Sequence, residues 1–331
     1  MALSKINGIT IRGIASALPS NKEDNLQLTN LDLNQKEELI KHTGIRFRHV
    51  VKEEKKALKW LFKKAIDELL ETLDWNKNSI DVLLIVTQTT QSPIPSLACQ
   101  IHGEMDFSTT ALAYDINSGC SGFVYGLHTA SQLISSLDQE GKRAILCCGD
   151  VSSSLTEKGD MAVKPIFSDA VSAIGLEYDG SSESYFNLET FGKGQKAISL
   201  EKSATGNWMR MDGIDVFNYA VKHVPNNIKT LLDKYAGENS SPEMYVLHQA
   251  NLLINKSIMK AVGAKEDKVP NTLYDFGNTA SASIPLTFSL NWQNKKRGWV
   301  LFSGFGVGFS VATALVKIDG IKIAKPKFIN I

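Results

Sequence analysis

Apolar residues recur along this chain with two different periods. Between Ala57 and Leu73, the residues Leu58, Leu61, Phe62, Ala65, Ile66 and Leu69 fall three and four apart, which predicts an amphipathic helix. Short apolar runs predict buried strands instead. These are Asp81-Val-Leu-Leu-Ile-Val-Thr-Gln88, a strand ending near Ile116, Arg143-Ala-Ile-Leu-Cys-Cys-Gly149, Glu243-Met-Tyr-Val-Leu-His248 and Gly298-Trp-Val-Leu-Phe-Ser303. Further helices are expected after Cys120 and over about 216–235, 253–262 and 280–290. Each half of the chain therefore runs through the same order of elements. The distance from strand to turn is also alike, 120 − 81 = 39 residues in the first half and 278 − 243 = 35 in the second. Strands alternating with helices imply a mostly parallel, buried sheet with helices on its faces. The repeat predicts an α/β chain duplicated about a pseudo-twofold, with halves 1–175 and 176–331.

Composition narrows the class. The 331 residues are 43% hydrophobic and 21% charged, with 36 Lys+Arg against 35 Asp+Glu. A net charge of +1 argues against nucleic acid as the main partner. No apolar run approaches the ~20 residues a membrane-spanning helix needs. The segment Met1-Ala-Leu-Ser-Lys-Ile-Asn-Gly8 carries no long apolar stretch, so a cytoplasmic location is expected. The charge run Lys52-Glu-Glu-Lys-Lys56 reads as the solvated start of a helix. Four cysteines then read as free thiols. Cys147 and Cys148 belong to an apolar strand, and Cys99 reads as helix packing.

Cys120 stands apart. In Asp115-Ile-Asn-Ser-Gly-Cys-Ser-Gly-Phe123 it is ringed by small residues, where a strand turns into a helix. A helix N-terminus carries roughly half a positive charge, and that is expected to lower a thiol's pKa from about 8.5. A nucleophile and a small buried cysteine are both open at this point. His248 ends an apolar strand at the carboxyl edge, where α/β sheets place ligands, yet a structural histidine fits there too. Asn278 lies just before a helix, in Tyr274-Asp-Phe-Gly-Asn278, which suits either a cap or a site. In the repeat, Asn278 takes nearly the place of Cys120, so the two turns should face each other with His248 nearby. The run Ser303-Gly-Phe-Gly-Val-Gly-Phe309 lacks the spacing of a phosphate cradle. It reads either as a hairpin turn or as a backbone N–H donor beside the nucleophile.

Together these pieces resemble the β-ketoacyl-acyl-carrier-protein synthase III family. The resemblance rests on Thr43-Gly-Ile-Arg46, Pro95-Ser-Leu-Ala-Cys-Gln-Ile101, Cys120-Ser-Gly-Phe123, His248-Gln-Ala-Asn251, Gly277-Asn-Thr279 and Gly304-Phe-Gly-Val-Gly-Phe309, which occur in that family's order. It implies a thiolase-like fold of duplicated α-β-α-β-α layers. It also implies a homodimer in which strand Arg143–Gly149 pairs across the twofold. The implied chemistry is a decarboxylative Claisen condensation with no metal or other cofactor. Cys120 would carry the acyl group from an acyl thioester on coenzyme A or carrier protein. His248 and Asn278 would assist decarboxylation of malonyl-carrier protein. Backbone N–H groups of Cys120 and Val307 would form the oxyanion hole. Phe217, Ile94, Gly306 and Gly308 would lie against substrate.

The departures from that family are specific. Glu38 and His42 stand where an aromatic residue and an arginine are usual ahead of Thr43. Met161 stands near a second arginine position, Phe167-Ser-Asp-Ala-Val171 replaces Phe-Gly-Asp-Gly-Ala, and Leu253 replaces an arginine. These changes remove the usual grip on coenzyme A. They suggest an acyl-carrier protein as donor, met by Lys256 and Lys260 four apart on one helix face. Alternatives are acyl transfer to an oxygen or nitrogen nucleophile, a cysteine hydrolase, and a non-catalytic partner subunit of a heterodimer. An intact Cys, His and Asn set favours condensation.

Overall fold

A computed structural model describes residues 2–52, 57–137, 141–237, 241–292 and 295–331. Most of the charge run 52–56 lies outside these residues. The chain opens on β1 (Ala2–Pro19), followed by the β2 (Lys22–Asp24) and β3 (Phe47–His49) pair around α1 (Leu33–Thr43). Next come α2 (Ala57–Leu73), β4 (Val82–Val86), α3 (Leu97–Glu104), β5 (Leu112–Ile116), α4 (Gly122–Ser135) and β6 (Arg143–Asp150). The long β7 (Ala170–Thr190) leads to the hairpin β8 (Ile198–Ser203) and β9 (Gly206–Met211). The second half continues with α5 (Gly213–Tyr235), β10 (Met244–Leu247), α6 (Leu252–Val262), α7 (Leu273–Phe276) and α8 (Ser283–Asn291). It closes with β11 (Arg297–Gly306), β12 (Ser310–Asp319), β13 (Lys322–Ile323) and β14 (Lys327–Ile329).

The periodicity over 57–73 is realised as α2, whose apolar stripe is buried throughout. The duplication is visible in the strand pairing. In the first half β4 runs parallel to β6, which is antiparallel to the start of β7, which is antiparallel to β1. In the second, β10 runs parallel to β11, which is antiparallel to β12, which is antiparallel to the end of β7. The boundary at 175/176 thus falls inside β7, a single strand shared by both halves. Neither β1 nor β7 shows cleanly in the sequence. Both run from one β-layer into the other within a single ten-stranded sheet, so their pattern of burial changes along their length.

Successive side chains on a strand face opposite ways, and the core follows this rule into layers. Leu83, Ile85, Ile145 and Cys147 pack outward against α2 and α3. Leu84, Val86, Leu146 and Cys148 pack inward on α4 and α8, which meet Val246, Phe302 and Ala314 of the other β-layer of the same sheet. Leu247, Leu301, Val311 and Leu315 pack outward on α5 and α6. This is the α-β-α-β-α order, with α4 and α8 as the central layer.

Two expectations need correction. β6 has a neighbour on each side, β4 and β7, so its backbone groups are already paired and it has no free edge for a second subunit. The edge strand of that half is β5, which pairs only with β4. Cys99 is not packed inside; it is exposed on α3. Among the described residues, no helix is long and apolar enough to cross a membrane.

Candidate active site

The two central helices begin at the two turns singled out by the sequence. β5 ends at Ile116, Cys120 lies in the turn, and α4 starts at Gly122. Upstream, Asp115 steadies this corner: its two carboxylate oxygens accept 2.7 Å bonds from the Leu97 and Ala98 N–H groups at the start of α3. In the other half, Asn278 precedes a turn of 3₁₀ helix over Ala280–Ala282 and then α8. Its backbone is held by the first half, with Asn278 N–H donating to Ile166 O (3.0 Å) and Ser168 N–H donating to Asn278 O (2.9 Å). His248 follows β10, and its N–H donates to Ser303 O on β11 at 2.8 Å.

Cys120, His248 and Asn278 line one small cavity of about 30 Å³, with Phe167, Ile198, Val216, Phe305 and Gly306 among its walls. All three are buried, at 5%, 2% and 5% exposure. The volume is about that of one water molecule. A neighbouring hollow of about 210 Å³ shares Ile198 and adds Val307, Leu155, Leu200 and Met209.

Hydrogen bonds orient both polar partners. Asn278 Oδ1 accepts from the Ala280 N–H at 3.0 Å, which turns the Nδ2 amide group away from that bond as a free donor. Ala280 holds φ at +49°, a strained value for a residue with a side chain, of the kind that clusters at functional sites. His248 Nδ1 lies 2.7 Å from Ser283 Oγ, and the Gln249 N–H donates to the same oxygen at 3.3 Å. The Ser283 oxygen has two lone pairs and one hydrogen, so it can accept from Gln249 and still bond Nδ1 in either direction; where it donates to Nδ1, the neutral ring carries its own proton on Nε2. Burial pushes the His248 pKa down to about 3, against an Ala280 backbone contact that favours the proton, so the ring is neutral near pH 7. The ring packs edge-on against Phe305.

The expected low thiol pKa is not found. Burial, with the Asp150 carboxylate as second cause, pushes Cys120 up to about 12. The helix end and the thiol's own backbone N–H work the other way. Asp150 ends β6 and accepts from Thr87 Oγ1 (2.8 Å), Gln88 N (2.7 Å) and Thr89 Oγ1 (3.2 Å), while its buried Oδ2 has no partner among the described residues. Resting Cys120 is thus a thiol beside a neutral imidazole.

The remaining expected contacts divide. Gly306 faces the thiol: a methyl group there would lie 3.2 Å from Cys120 Sγ, at a backbone φ of +153°. Close approach to the nucleophile, more than turn-making, therefore explains that glycine. Gly308 neighbours Ser310 and does not line the cavity. Phe217 is half-buried, and the residue before it, Val216, lines the cavity instead; the helical register of α5 turns Phe217 aside. Ile94 is 83% exposed on a loop away from the cavity. Lys256 and Lys260 are exposed on α6, and neither forms an ion pair among the described residues. Ser283, Asp150, Val216 and Ile198 escaped the sequence reading: Ser283, Val216 and Ile198 are small or apolar residues within elements, and Asp150 is marked only by its burial and its long-range partners Thr87, Gln88 and Thr89.

Comparison with known proteins agrees with the geometry. Residues 114–194 match the family described as 3-Oxoacyl-[acyl-carrier-protein (ACP)] synthase III, and residues 232–318 match its C-terminal family. The chain is 30% identical over 325 residues to the β-ketoacyl-[acyl-carrier-protein] synthase III of Lactococcus lactis subsp. cremoris, covering 92% of this chain and 97% of that one. It is 29% identical to the Streptococcus agalactiae protein of the same name, covering 93% and 98%. A crystal structure of a 3-oxoacyl-(acyl-carrier protein) synthase from Burkholderia xenovorans superposes with a TM-score of 0.93 at 27% identity, covering 99% of both chains. With a thiol, an imidazole and an amide converging on one buried cavity of a thiolase-like fold, this chain belongs to the 3-oxoacyl-[acyl-carrier-protein] synthase III family.

Proposed function

We propose that this enzyme condenses an acyl thioester with malonyl-carrier protein through an acyl-Cys120 intermediate, with loss of carbon dioxide. The observation that carries this reading is the His248 imidazole and the Asn278 amide in the same buried cavity as Cys120, and we assign Ser283 as the donor to His248 Nδ1, which leaves Nε2–H and Nδ2–H as a pair of donors. In the first step the Cys120 sulfur displaces the donor's thiol, and the Cys120 proton leaves with it. In the second, the malonyl carboxylate departs as carbon dioxide, and the electron pair moves onto the thioester carbonyl. Two neutral donors in a dry site stabilise that developing enolate oxygen without being deprotonated by it. The enolate carbon then attacks the acyl-Cys120 carbonyl, and the released thiolate takes a proton. Transfer to an oxygen or nitrogen nucleophile forms no enolate, so a pair of donors favours condensation over it.

The acyl donor is proposed to be carrier protein in preference to coenzyme A. Three arginines of the chain are already engaged. Arg46 pairs with Asp24 and Tyr274, Arg210 with Glu157 and Asp160, and the buried Arg48 with Glu23, Asn25 and Phe167 O. Glu38 and His42 pair with each other on α1. Lys256 and Lys260 remain for an acidic carrier surface. Product analysis with malonyl-carrier protein tests both parts at once. A 3-oxoacyl product two carbons longer than the donor chain is expected. kcat/KM should favour the carrier-borne acyl group over the same group on coenzyme A, and Lys256→Glu/Lys260→Glu should lower it by about tenfold or more. A coenzyme A preference, or a double variant equal to wild type, contradicts the donor assignment.

A homodimer is also proposed, formed on β5. Among the described residues its outer edge is unpaired, and Leu112 and Tyr114 are exposed beside it, which is a template for antiparallel pairing with a second copy. A monomeric mass by light scattering at micromolar concentration would contradict this. A cytoplasmic location is kept as part of the same proposal.

A further inference from the structure

Cys120 and Val307 reach the site on distant stretches of chain, yet an oxyanion hole needs their two N–H groups at one fixed spacing. The packing beneath them is unusually direct. Gly304 and Gly306 are alternate residues of β11 and face the same way. A methyl group on Gly304 would lie 2.7 Å from Ser121 Cα, and one on Gly306 would lie 2.9 Å from Cys120 Cβ. The Cys120–Ser121 turn therefore rests on strand backbone with no side chain between.

Two serines fasten this contact. Ser121 is wholly buried, and its Oγ lies 2.7 Å from Ser310 Oγ. Ser310 opens β12 just past the glycine turn, and its hydroxyl donates to the Val307 carbonyl at 2.9 Å. A carbonyl oxygen can only accept, so the single Ser310 proton is committed there, and Ser121 is the donor to Ser310. The chain runs one way, from Ser121 through Ser310 to Val307. It ties the residue after the nucleophile to the residue bearing the second proposed oxyanion donor.

We propose that Ser121 and Ser310 are positioning residues that hold the Cys120 and Val307 N–H groups at a spacing suited to a tetrahedral oxyanion. This rests on the reading that Cys120 is acylated and that these two amides receive the charge. Such donors act only when preorganised close to where the oxyanion forms, and small displacements are costly. A packing role alone would give the serines no connection with one kind of reaction over another.

Two reactions of Cys120 separate these cases. Alkylation by iodoacetamide displaces iodide at a saturated carbon and forms no oxyanion, whereas acylation by an acyl thioester does. Ser310→Ala is expected to slow acylation about 10–100-fold while alkylation stays within about twofold of wild type. Ser310→Thr, which keeps the hydroxyl, should recover most of the acylation rate. Equal slowing of both reactions, or no slowing of either, overturns the proposal. Should Ser310→Ala fail to fold, Ser121→Ala interrupts the same chain from its other end and is read in the same way. Wild-type protein that is alkylated at Cys120 but never acylated there overturns the functional reading itself, and this inference with it.

Discussion

Cys120→Ala should lose the covalent acyl-enzyme entirely, whereas variants of Cys99, Cys147 and Cys148 should keep it. Among the described residues, Cys120 is the cysteine on the cavity that holds His248 and Asn278. Cys147 and Cys148 are sealed inside β6 and do not line that cavity, so no thioester reaches them. Cys99 lies open to solvent on α3, outside that cavity, with its thiol 3.5 Å from the Ala113 carbonyl. Because burial and Asp150 hold Cys120 as a thiol, its reaction with iodoacetamide should climb with pH well beyond neutrality, and should not level off near pH 7. Intact-protein mass spectrometry with peptide mapping reads the result. An acyl label on any other cysteine would refute the assignment.

His248→Ala should still load an acyl group onto Cys120 but should release carbon dioxide from malonyl-carrier protein about 10²–10³-fold more slowly. The ring is neutral, and with Ser283 assigned as donor to its Nδ1, what it offers the reaction is the Nε2 hydrogen. That donor matters most where charge develops on the malonyl thioester oxygen. Its loss leaves Asn278 as the remaining side-chain donor of the pair. Since the His248 pKa is depressed to about 3, decarboxylation should not fall between pH 8 and pH 6 through protonation of this ring, as it would for a histidine near 6.5. Carbon dioxide release at the wild-type rate in His248→Ala would remove the residue from this step.

Much of the scaffold was legible because its signals are local. The stripe over α2, the apolar runs of β4, β6, β10 and β11, and the helices opening after Cys120 and Asn278 all follow from short-range pattern. The long strands β1 and β7 were not legible. Each runs through both β-layers of the one ten-stranded sheet, so no single period describes it. The same limit applies to the site. Cys120, His248 and Asn278 stand at strand ends and helix starts, where sequence marks them. What holds them in place is long-range: Ser283 on His248, Ile166 and Ser168 on Asn278, and Asp150 beside the thiol. The thiol pKa was misjudged for this reason. The helix start is visible in the chain, but the burial that outweighs it comes from residues such as Phe305 and Gly306, nearly two hundred positions away.

A single-turnover experiment tests the central claim most directly. Protein carrying one labelled acyl group on Cys120 is mixed with malonyl-carrier protein bearing a labelled free carboxylate. The account predicts that acyl-Cys120 disappears as carbon dioxide is released, one for one, with the acyl label recovered as a 3-oxoacyl chain on the carrier. Loss of the acyl group without carbon dioxide, whether to water or to another acceptor, would contradict it.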